Sequence, residues 1–155
     1  MKSFILVILA LHILLHSLLA HPLIANQDKV YEDKRQRTDQ GTAEILMLFK
    51  NIETVIRSNS VGSIHPYFNS IVSIMIRSTE KGSYSAHQTA AILSMYFKDR
   101  RVTSFDFTKI QSESSTPFAT GRLSVLYKGN QESAQVYVSL VKRDDRWMIS
   151  QFNIY

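Results

Sequence analysis

Cysteine is absent from this sequence of 155 residues, and glycine is scarce, with five in the whole chain. Without cysteine the chain can form neither a disulfide nor a thiolate metal site, and it offers no thiol for lipid attachment. The glycines form no phosphate-binding loop, and the segment Gly62–His65 lacks the second glycine of a nucleophilic serine elbow. The chain therefore has to be stabilised by its hydrophobic core. Enzymes that depend on a thiolate metal site, a phosphate-binding loop or a serine elbow are disfavoured.

Charge of one sign is not concentrated in any part of the chain. Lysine and arginine total 18 and aspartate and glutamate total 13, which gives a formal net charge of +5. The basic residues lie in separated groups with acidic residues between them, whereas a nucleic-acid-binding surface needs them clustered on one face. We therefore expect no nucleic-acid partner.

The start of the chain, residues 1–20, has the features of a secretory signal peptide. A basic residue is followed by the apolar stretch FILVILALHILLHSLLA, and a polar segment then begins at His21. We expect cleavage after Ala20, or as late as Ala25, and export to the periplasm or the outside of the cell. The alternative is an uncleaved membrane anchor, because about 17 apolar-leaning residues lie near the lower limit of a spanning helix.

Two regions follow the predicted signal peptide. Residues 21–40 carry many charges and little periodic apolar content, which predicts a polar linker. A single domain is expected over residues 41–155, since 45% hydrophobic content is typical of a globular chain. Its first helix is predicted from Gly41 to Arg57 by apolar residues spaced three and four apart, with Asp39 or Thr42 as its N-cap.

In the middle of the domain, the sequence predicts one strand between two helical segments. A turn or a short helix is expected around Pro66. The β-branched run Ile71–Ile76 predicts a strand that ends at residues 78–82. Ser85, with a glutamine three residues later, is a capping box and predicts a helix that continues through Lys98.

The last third of the chain has the period-two alternation that is typical of β-strands. Apolar and polar residues alternate over residues 102–108, 122–128 and 135–140. The segments KGNQ and RDDR supply turn residues that tolerate positive φ. We predict a meander of about four antiparallel strands, apolar on one face, with helices packed on that face. The fold class is therefore α+β.

This order of elements resembles the cone-shaped fold of the nuclear transport factor 2-like superfamily, in which N-terminal helices pack into a curved, mostly antiparallel sheet. More narrowly, three segments resemble a family of exported bacterial proteins named only as a domain of unknown function, DUF4783. They are HPYFNSIVSIMI, KGSYSAHQTAAILSMYFKDRRVTSFDF and GRLSVLYKGNQESAQVYVSLVKRDDRWMISQFNIY. The resemblance covers about residues 42–155 and implies the fold and export. It implies no reaction, because the superfamily includes enzymes, binding proteins and oligomerisation modules.

Neither catalytic residues nor a cofactor nor a metal is expected. His65 and His87 are the histidines beyond the first 21 residues, and neither has carboxylates spaced to complete a metal site. The enzymatic alternative is acid–base chemistry by a carboxylate in an apolar pocket of the cone. Asp106 alternates with Phe105 and Phe107, so it faces outward if the two phenylalanines face the core.

Aromatic residues are the candidates for lining a pocket inside the cone. They are Tyr67, Tyr84, Tyr96, Phe105, Phe107 and Tyr127. Aromatic side chains at apolar positions of helices and strands also commonly form the core of a domain. We predict that the chain binds a small apolar ligand there, or a partner protein, without catalysis.

Self-association as a structural homodimer is a further alternative, and it depends on the loop between the last two strands. With a three-residue loop, Tyr137, Trp147 and Ile149 lie together on the outer sheet face, and such an apolar patch needs a partner or a second copy of the chain. With a two-residue loop, the pairing shifts by one residue and the patch is lost. The sequence does not choose between the two loops.

Overall fold

The structure is a computed structural model that describes the backbone of residues 2–77 and 79–155, and the side chains of residues 29–36, 38–77 and 79–155. Its elements are α1 (Lys2–Arg57), a 3₁₀ helix (Val61–Tyr67), β1 (Phe68–Ile76), β2 (Glu80–Ser85), α2 (Ala86–Lys98), β3 (Arg100–Gln111), β4 (Phe118–Tyr127), β5 (Asn130–Arg143) and β6 (Arg146–Ile154). The chain divides into two compact units, residues 1–41 and 42–155.

The first unit consists of the N-terminal part of α1. The predicted signal peptide and both of its cleavage positions lie outside the residues whose side chains are described. In the part of the chain whose side chains are described, no helix is both long enough and apolar enough to cross a membrane.

The first helix begins well before its predicted start. Residues 21–40, predicted as a polar linker, are helical, so the predicted start at Gly41 is wrong and neither Asp39 nor Thr42 caps a helix start. The physical reason is composition. The second half of this segment has neither glycine nor proline and is rich in lysine, arginine, glutamate and glutamine, which favour helix even where no apolar stripe is present.

The second unit is built on a six-stranded sheet with the order β2-β1-β6-β5-β4-β3. Strands β1 and β6 run parallel, and every other neighbouring pair is antiparallel. This confirms the α+β class and the meander of four strands, β3 to β6. The predicted strand over Ile71–Ile76 is part of β1, but residues 80–82, which are expected only to end that strand, belong to a further strand, β2. The residues of β2 show no apolar alternation and have low strand propensity. They form a strand because they pair with β1.

One face of this sheet, which we call the inner face, carries the hydrophobic core. Ile74, Leu123, Val136 and Phe152 are fully or almost fully buried there. Ile52 on α1 is also fully buried and belongs to the same cluster, which confirms the predicted apolar stripe of that helix. Burial of each such side chain contributes about 1.5 to 3 kcal/mol.

Helix α1 packs against β3 through aromatic rings. The Phe107 ring centroid lies 5.4 Å from that of Phe49 and 4.9 Å from that of Phe105, both in edge-to-face geometry. Gly121 on β4 makes room for this cluster, since a Cβ there would lie 2.5 Å from the Asp106 carbonyl oxygen and 3.1 Å from the Phe105 ring. Only glycine fits at this position.

Helix α2 begins with the predicted capping box. The Ser85 hydroxyl accepts a hydrogen bond from the Gln88 backbone N–H at 3.3 Å, and the Gln88 side-chain oxygen accepts one from the Ser85 backbone N–H at 3.0 Å. Such a cap stabilises a helix by about 1 kcal/mol. The helix ends at Lys98, as predicted.

Both tight hairpin turns of the meander have two-residue loops. Lys128 and Gly129 have φ of 49° and 84°, and Asp144 and Asp145 have φ of 47° and 59°. Two consecutive residues with positive φ are typical of the turn that matches strand twist in a short hairpin. The residues predicted to tolerate positive φ are therefore the residues that adopt it.

The two-residue loop between β5 and β6 shows that the predicted outer patch is wrong. Leu140 pairs with Ile149, and Ile149 is fully buried in the core. Trp147 is partly buried against the same core, whereas Tyr137 lies on the opposite face and stacks on Phe118 with a centroid distance of 5.6 Å. The physical reason is the two-residue loop, which shifts the pairing near the turn by one residue and moves Trp147 and Ile149 to the inner face. A register irregularity between Ser139 and Leu140 then keeps Phe152 on that face as well.

Candidate functional site

The turn between β1 and β2, the second half of α2 and the start of β3 line an open cavity of about 400 Å³, which we call the Tyr96 cavity. Its wall combines apolar side chains, two arginines and one carboxylate. The lining residues are Ile76, Arg77, Thr79, Glu80, Ile92, Met95, Tyr96 and Arg100. Cavities of this size and character are typical of sites for small molecules.

Tyr96 presents a phenol to this cavity from α2. The residue is 9% exposed, and its buried hydroxyl has no hydrogen-bond partner of normal geometry among the described residues. Burial raises the pKa of the phenol, and the negative charge of Glu132 adds to that rise. The positive charges of Arg77 and Arg100, and a hydrogen bond donated by Arg77, oppose it. The phenol is therefore protonated at neutral pH and remains a hydrogen-bond donor. A buried donor without an acceptor costs about 1 to 3 kcal/mol.

Arg100, the first residue of β3, is held between two aromatic rings. Its guanidinium carbon lies 4.4 Å from the Tyr96 ring centroid and 4.1 Å from that of Tyr127. One terminal nitrogen donates to the Tyr96 carbonyl at 3.0 Å, which satisfies a carbonyl in the last turn of α2. Cation–π contacts of this kind fix the position of the guanidinium.

The guanidinium of Arg100 has further N–H donors and a positive charge that no described side chain pairs with. Its Nε is buried without a partner, and none of the carboxylates whose side chains are described forms an ion pair with it. Arg100 is thus a half-buried cation without a counter-ion at the wall of the cavity.

Arg77 occupies the turn between β1 and β2 in a left-handed conformation, with φ of 45°. Its backbone N–H donates to the Ile154 carbonyl at 2.6 Å, and its side chain reaches the Glu132 carboxylate at 3.6 Å and the Ser133 carbonyl at 3.1 Å. Left-handed backbone costs about 1 to 2 kcal/mol for a residue other than glycine. Such conformations persist where the surrounding contacts determine them, and they are common at functional sites.

Glu80 brings a carboxylate to the same cavity. It accepts a hydrogen bond from the Tyr84 hydroxyl, and this bond is the main cause that raises the pKa of Tyr84, together with burial and the negative charge of Glu80. The Tyr84 ring reaches Glu80 by lying over Gly82, where a Cβ would be 2.8 Å from the Tyr84 oxygen. The spacing Glu-x-Gly-x-Tyr therefore determines the position of this carboxylate.

Three of the six aromatic residues predicted to line a pocket lie at or beside the Tyr96 cavity. Tyr96 lines it directly, Tyr127 stacks on Arg100, and Tyr84 binds the Glu80 carboxylate. The structure thus brings together tyrosines that come from α2, β4 and β2.

The other three predicted residues lie elsewhere. Phe105 is fully buried, and Phe107 packs on it, so both belong to the core. Tyr67 lines a separate cavity of about 320 Å³ together with Leu48 and Trp147. These three residues do not reach the Tyr96 cavity.

Arg77 and Glu80 are functional candidates that the sequence analysis did not identify. An arginine in a turn and a glutamate in a polar segment carry no periodic signal, and their proximity depends on the pairing of β1 with β2. The position of Arg100 directly after α2 is recognisable in the sequence, because cations interact favourably with the C-terminus of a helix. This position does not indicate a cavity.

An inward carboxylate was the expected sign of an acid–base enzyme. Glu53 is buried on α1, but it pairs with Lys50 at 3.0 Å and Arg57 at 3.2 Å and accepts from the Phe107 N–H at 3.4 Å. Its oxygens are therefore already bound. Asp106 is 60% exposed and pairs with Arg57, so it faces outward as its alternation with the phenylalanines predicts.

His65 and His87, for which no metal site is expected, are neighbours in space. The rings of His65 and His87 lie 5.5 Å apart in an edge-to-face contact. No group of three or more histidine, aspartate or glutamate side chains in the described part of the chain is arranged to hold a metal ion.

Comparison with solved structures places this fold among known domains. A DUF4783 family protein from Bacteroides uniformis is similar with a TM-score of 0.61 and 14% identity, over 68% of this chain and 93% of that chain. A DUF4783 family protein from Bacteroides ovatus gives a TM-score of 0.58 and 16% identity, over 66% and 89%. An NTF-2 like protein of unknown function from Shewanella oneidensis gives 0.54 and 16%, over 73% and 97%.

These identities are low, so the solved structures show the fold alone, and they confirm the nuclear transport factor 2-like architecture. No functionally curated protein matches the sequence. The sequence model of the family described as "Domain of unknown function (DUF4783)" matches residues 49–155. Because that match covers more than half of the sequence, the chain belongs to the DUF4783 family.

Proposed function

We propose that this protein is an exported, non-catalytic binding domain that takes a small ligand with an apolar body into the Tyr96 cavity. The composition of the cavity wall carries this proposal. Ile76, Ile92 and Met95 supply apolar surface, and the Tyr96 hydroxyl beside them has no acceptor among the described residues. Apolar walls with a few oriented polar groups are typical of small-molecule sites.

The geometry favours binding over acid–base catalysis. A general base needs a carboxylate that is free to accept a proton from a substrate. The Glu80 carboxylate, which lines the cavity, already accepts the hydrogen bond of Tyr84. A partner protein on the outer sheet face has less support, because Trp147 and Ile149 do not lie there.

The test uses N-phenyl-1-naphthylamine, a neutral dye that fluoresces more strongly in apolar surroundings. We expect saturable binding of one dye per chain. Met95 is 75% exposed, so Met95→Asp should leave the fold intact. It should weaken dye binding by about tenfold or more, because the dye would desolvate the introduced carboxylate.

Met47→Asp is the matched control. Met47 is 68% exposed and lines the separate cavity beside Trp147. Dye binding should be unchanged in this variant. Binding that persists in Met95→Asp, or that is lost in Met47→Asp alone, would contradict the assignment of the ligand to the Tyr96 cavity.

Export is the second part of the proposal, and the basic and apolar start of the sequence supports it. We expect the mature protein to begin between His21 and Asp28. Mass spectrometry of protein recovered from outside the cytoplasm measures this directly, and an intact Met1 or Lys2 would contradict cleavage.

A further inference from the structure

We infer that the Tyr96 cavity selects a monocarboxylate with an apolar tail, whose carboxylate binds Arg100 and the Tyr96 hydroxyl. This inference rests on the proposed binding function and names the chemical class of its ligand. It follows from three properties of the cavity wall: the balance of charge, the unpartnered donors and the apolar surface.

One cation of the wall has no ion pair among the described side chains, and the one carboxylate of the wall, Glu80, is bound by the Tyr84 hydroxyl and not by a cation. Arg77 is paired with Glu132 at 3.6 Å, whereas Arg100 has no ion-pair partner among the side chains that the structure describes. Arg100 is also half-buried between two tyrosine rings, where solvent and salt screen its charge less than at an open surface. An anionic group in the cavity would supply the missing counter-ion.

The unpartnered donors require an acceptor. The Tyr96 hydroxyl has only the Arg77 guanidinium, itself a donor, beside its oxygen, and the Arg100 Nε is buried without a partner, so both donors have no acceptor in the described part of the chain. A carboxylate offers two acceptor oxygens and one negative charge, which matches two donors and one free cation. An alkylammonium ion offers no acceptor to these two donors, and the carboxylate that would attract its charge, Glu80, already accepts the hydrogen bond of Tyr84.

The carboxylate of Glu80 argues against a more highly charged ligand. It lines the same cavity, so the second negative charge of a phosphate monoester would be repelled by it. A single negative charge is therefore favoured over two.

The apolar part of the wall accommodates the tail. Ile76, Ile92 and Met95 form this surface. The two donor atoms are buried, so a ligand reaches them when an exposed side chain of the wall moves aside. Met95, which is 75% exposed, has a long unbranched side chain that can do so.

The experiment compares three probes with the same eight-carbon chain: octanoate, 1-octanol and n-octylammonium. Isothermal titration calorimetry at neutral pH measures their affinities for the full mature chain. We expect octanoate to bind about tenfold or more tightly than octanol, and octylammonium to bind most weakly. Arg100→Met should reduce octanoate to the affinity of octanol and leave octanol unchanged.

Two further variants make the result specific. Arg101→Met is the matched control, because Arg101 is the exposed neighbour of Arg100 and does not line the cavity, and it should preserve the preference for octanoate. Tyr96→Phe should weaken octanoate about tenfold without changing octanol. That variant keeps the ring and serves as the test if Arg100→Met destabilises the fold.

The outcomes separate this inference from the proposed function. Equal binding of octanoate and octanol, with dye binding intact, would overturn the carboxylate inference and leave the binding function standing. Failure of all three probes and of the dye would overturn both. An equal loss of octanoate binding in Arg100→Met and Arg101→Met would assign the preference to net charge, and would also overturn the role of Arg100.

Discussion

Arg57 and Arg100 both connect a helix to β3, but their hydrogen-bonding groups are used differently. Arg57, the last residue of α1, pairs with Glu53 and Asp106 and donates from Nε to the Phe105 carbonyl at 2.6 Å. Arg100 donates to one carbonyl and otherwise contacts two tyrosine rings.

The difference distinguishes a contact that stabilises the fold from one that is open to a ligand. Carboxylates complete the coordination of Arg57, so another anion would gain little there. Arg100 keeps its charge and one buried N–H, which cost stability until an acceptor arrives. Buried groups without partners are rare in folded proteins, and they occur disproportionately where function requires them.

The largest expected effect comes from the packing that supports the Arg57 contact. Ile52 is fully buried on α1, and Ile52→Ala should lower the free energy of unfolding by about 2 to 5 kcal/mol because it leaves a cavity. Urea titration measures this loss. Met47→Ala, on the same helix but 68% exposed, should cost less than about 0.5 kcal/mol. Similar losses in the two variants would show that the buried face of α1 is misassigned.

Glu53→Gln tests the charged part of the Arg57 contact. The Glu53 side chain is 12% exposed, and its loss of charge leaves Lys50 and Arg57 with one fewer carboxylate. We expect a loss of about 1 to 2 kcal/mol, reduced by the solvent exposure of both cations. Asp106→Asn, at a position that is 60% exposed, should cost less than about 1 kcal/mol. If Glu53→Gln is as stable as the wild type, the ion pairs of Arg57 do not stabilise the fold, and Arg57 no longer differs from Arg100 in this respect.

Tyr96→Phe sharpens the comparison from the other side. The hydroxyl has no acceptor in the described part of the chain, so its removal eliminates an unmet donor. The free energy of unfolding should stay within about 0.5 kcal/mol of the wild type or increase by about 1 kcal/mol. A loss of more than about 1 kcal/mol in chemical denaturation would show that the hydroxyl is satisfied in the free protein.

The smallest effect is a pH dependence from the same phenol. Burial raises the pKa of Tyr96, so the folded protein favours the neutral form. Below a pH of about 10 both states keep the proton. Above it the unfolded chain ionises first, and stability falls as the pH rises. Between about pH 9 and about pH 11 the wild type should therefore lose more stability than Tyr96→Phe in urea titrations, and parallel losses would argue against a buried phenol.

The parts of the fold that follow local rules could be predicted from the sequence. Alternation identified β3, β4 and β5, and the Ser85 capping box identified the start of α2. The loop between β5 and β6 could not be predicted, because Asp144 and Asp145 are compatible with several turn lengths. That choice moves Trp147 and Ile149 to the inner side of the sheet.

The candidate site depends on pairings between distant segments, which local patterns do not encode. Tyr96 was predicted as a pocket residue because it is aromatic and lies on α2. Arg77 and Glu80 come to the same cavity through the turn between β1 and β2 and through an unpredicted strand. A sequence pattern identifies which residues share a face, but not which faces enclose a cavity.

The contact of α1 with β3 also has a consequence for solubility. β3 is an edge strand of the sheet, and an edge strand exposes backbone groups that can recruit a strand from another chain. At the middle of this edge the Phe105 carbonyl accepts from Arg57 and the Phe107 N–H donates to Glu53, so two of these groups are already bound. An extended peptide could not form a continuous ladder along β3 without displacing both side chains. The ion-paired end of α1 therefore disfavours strand pairing at the middle of this edge.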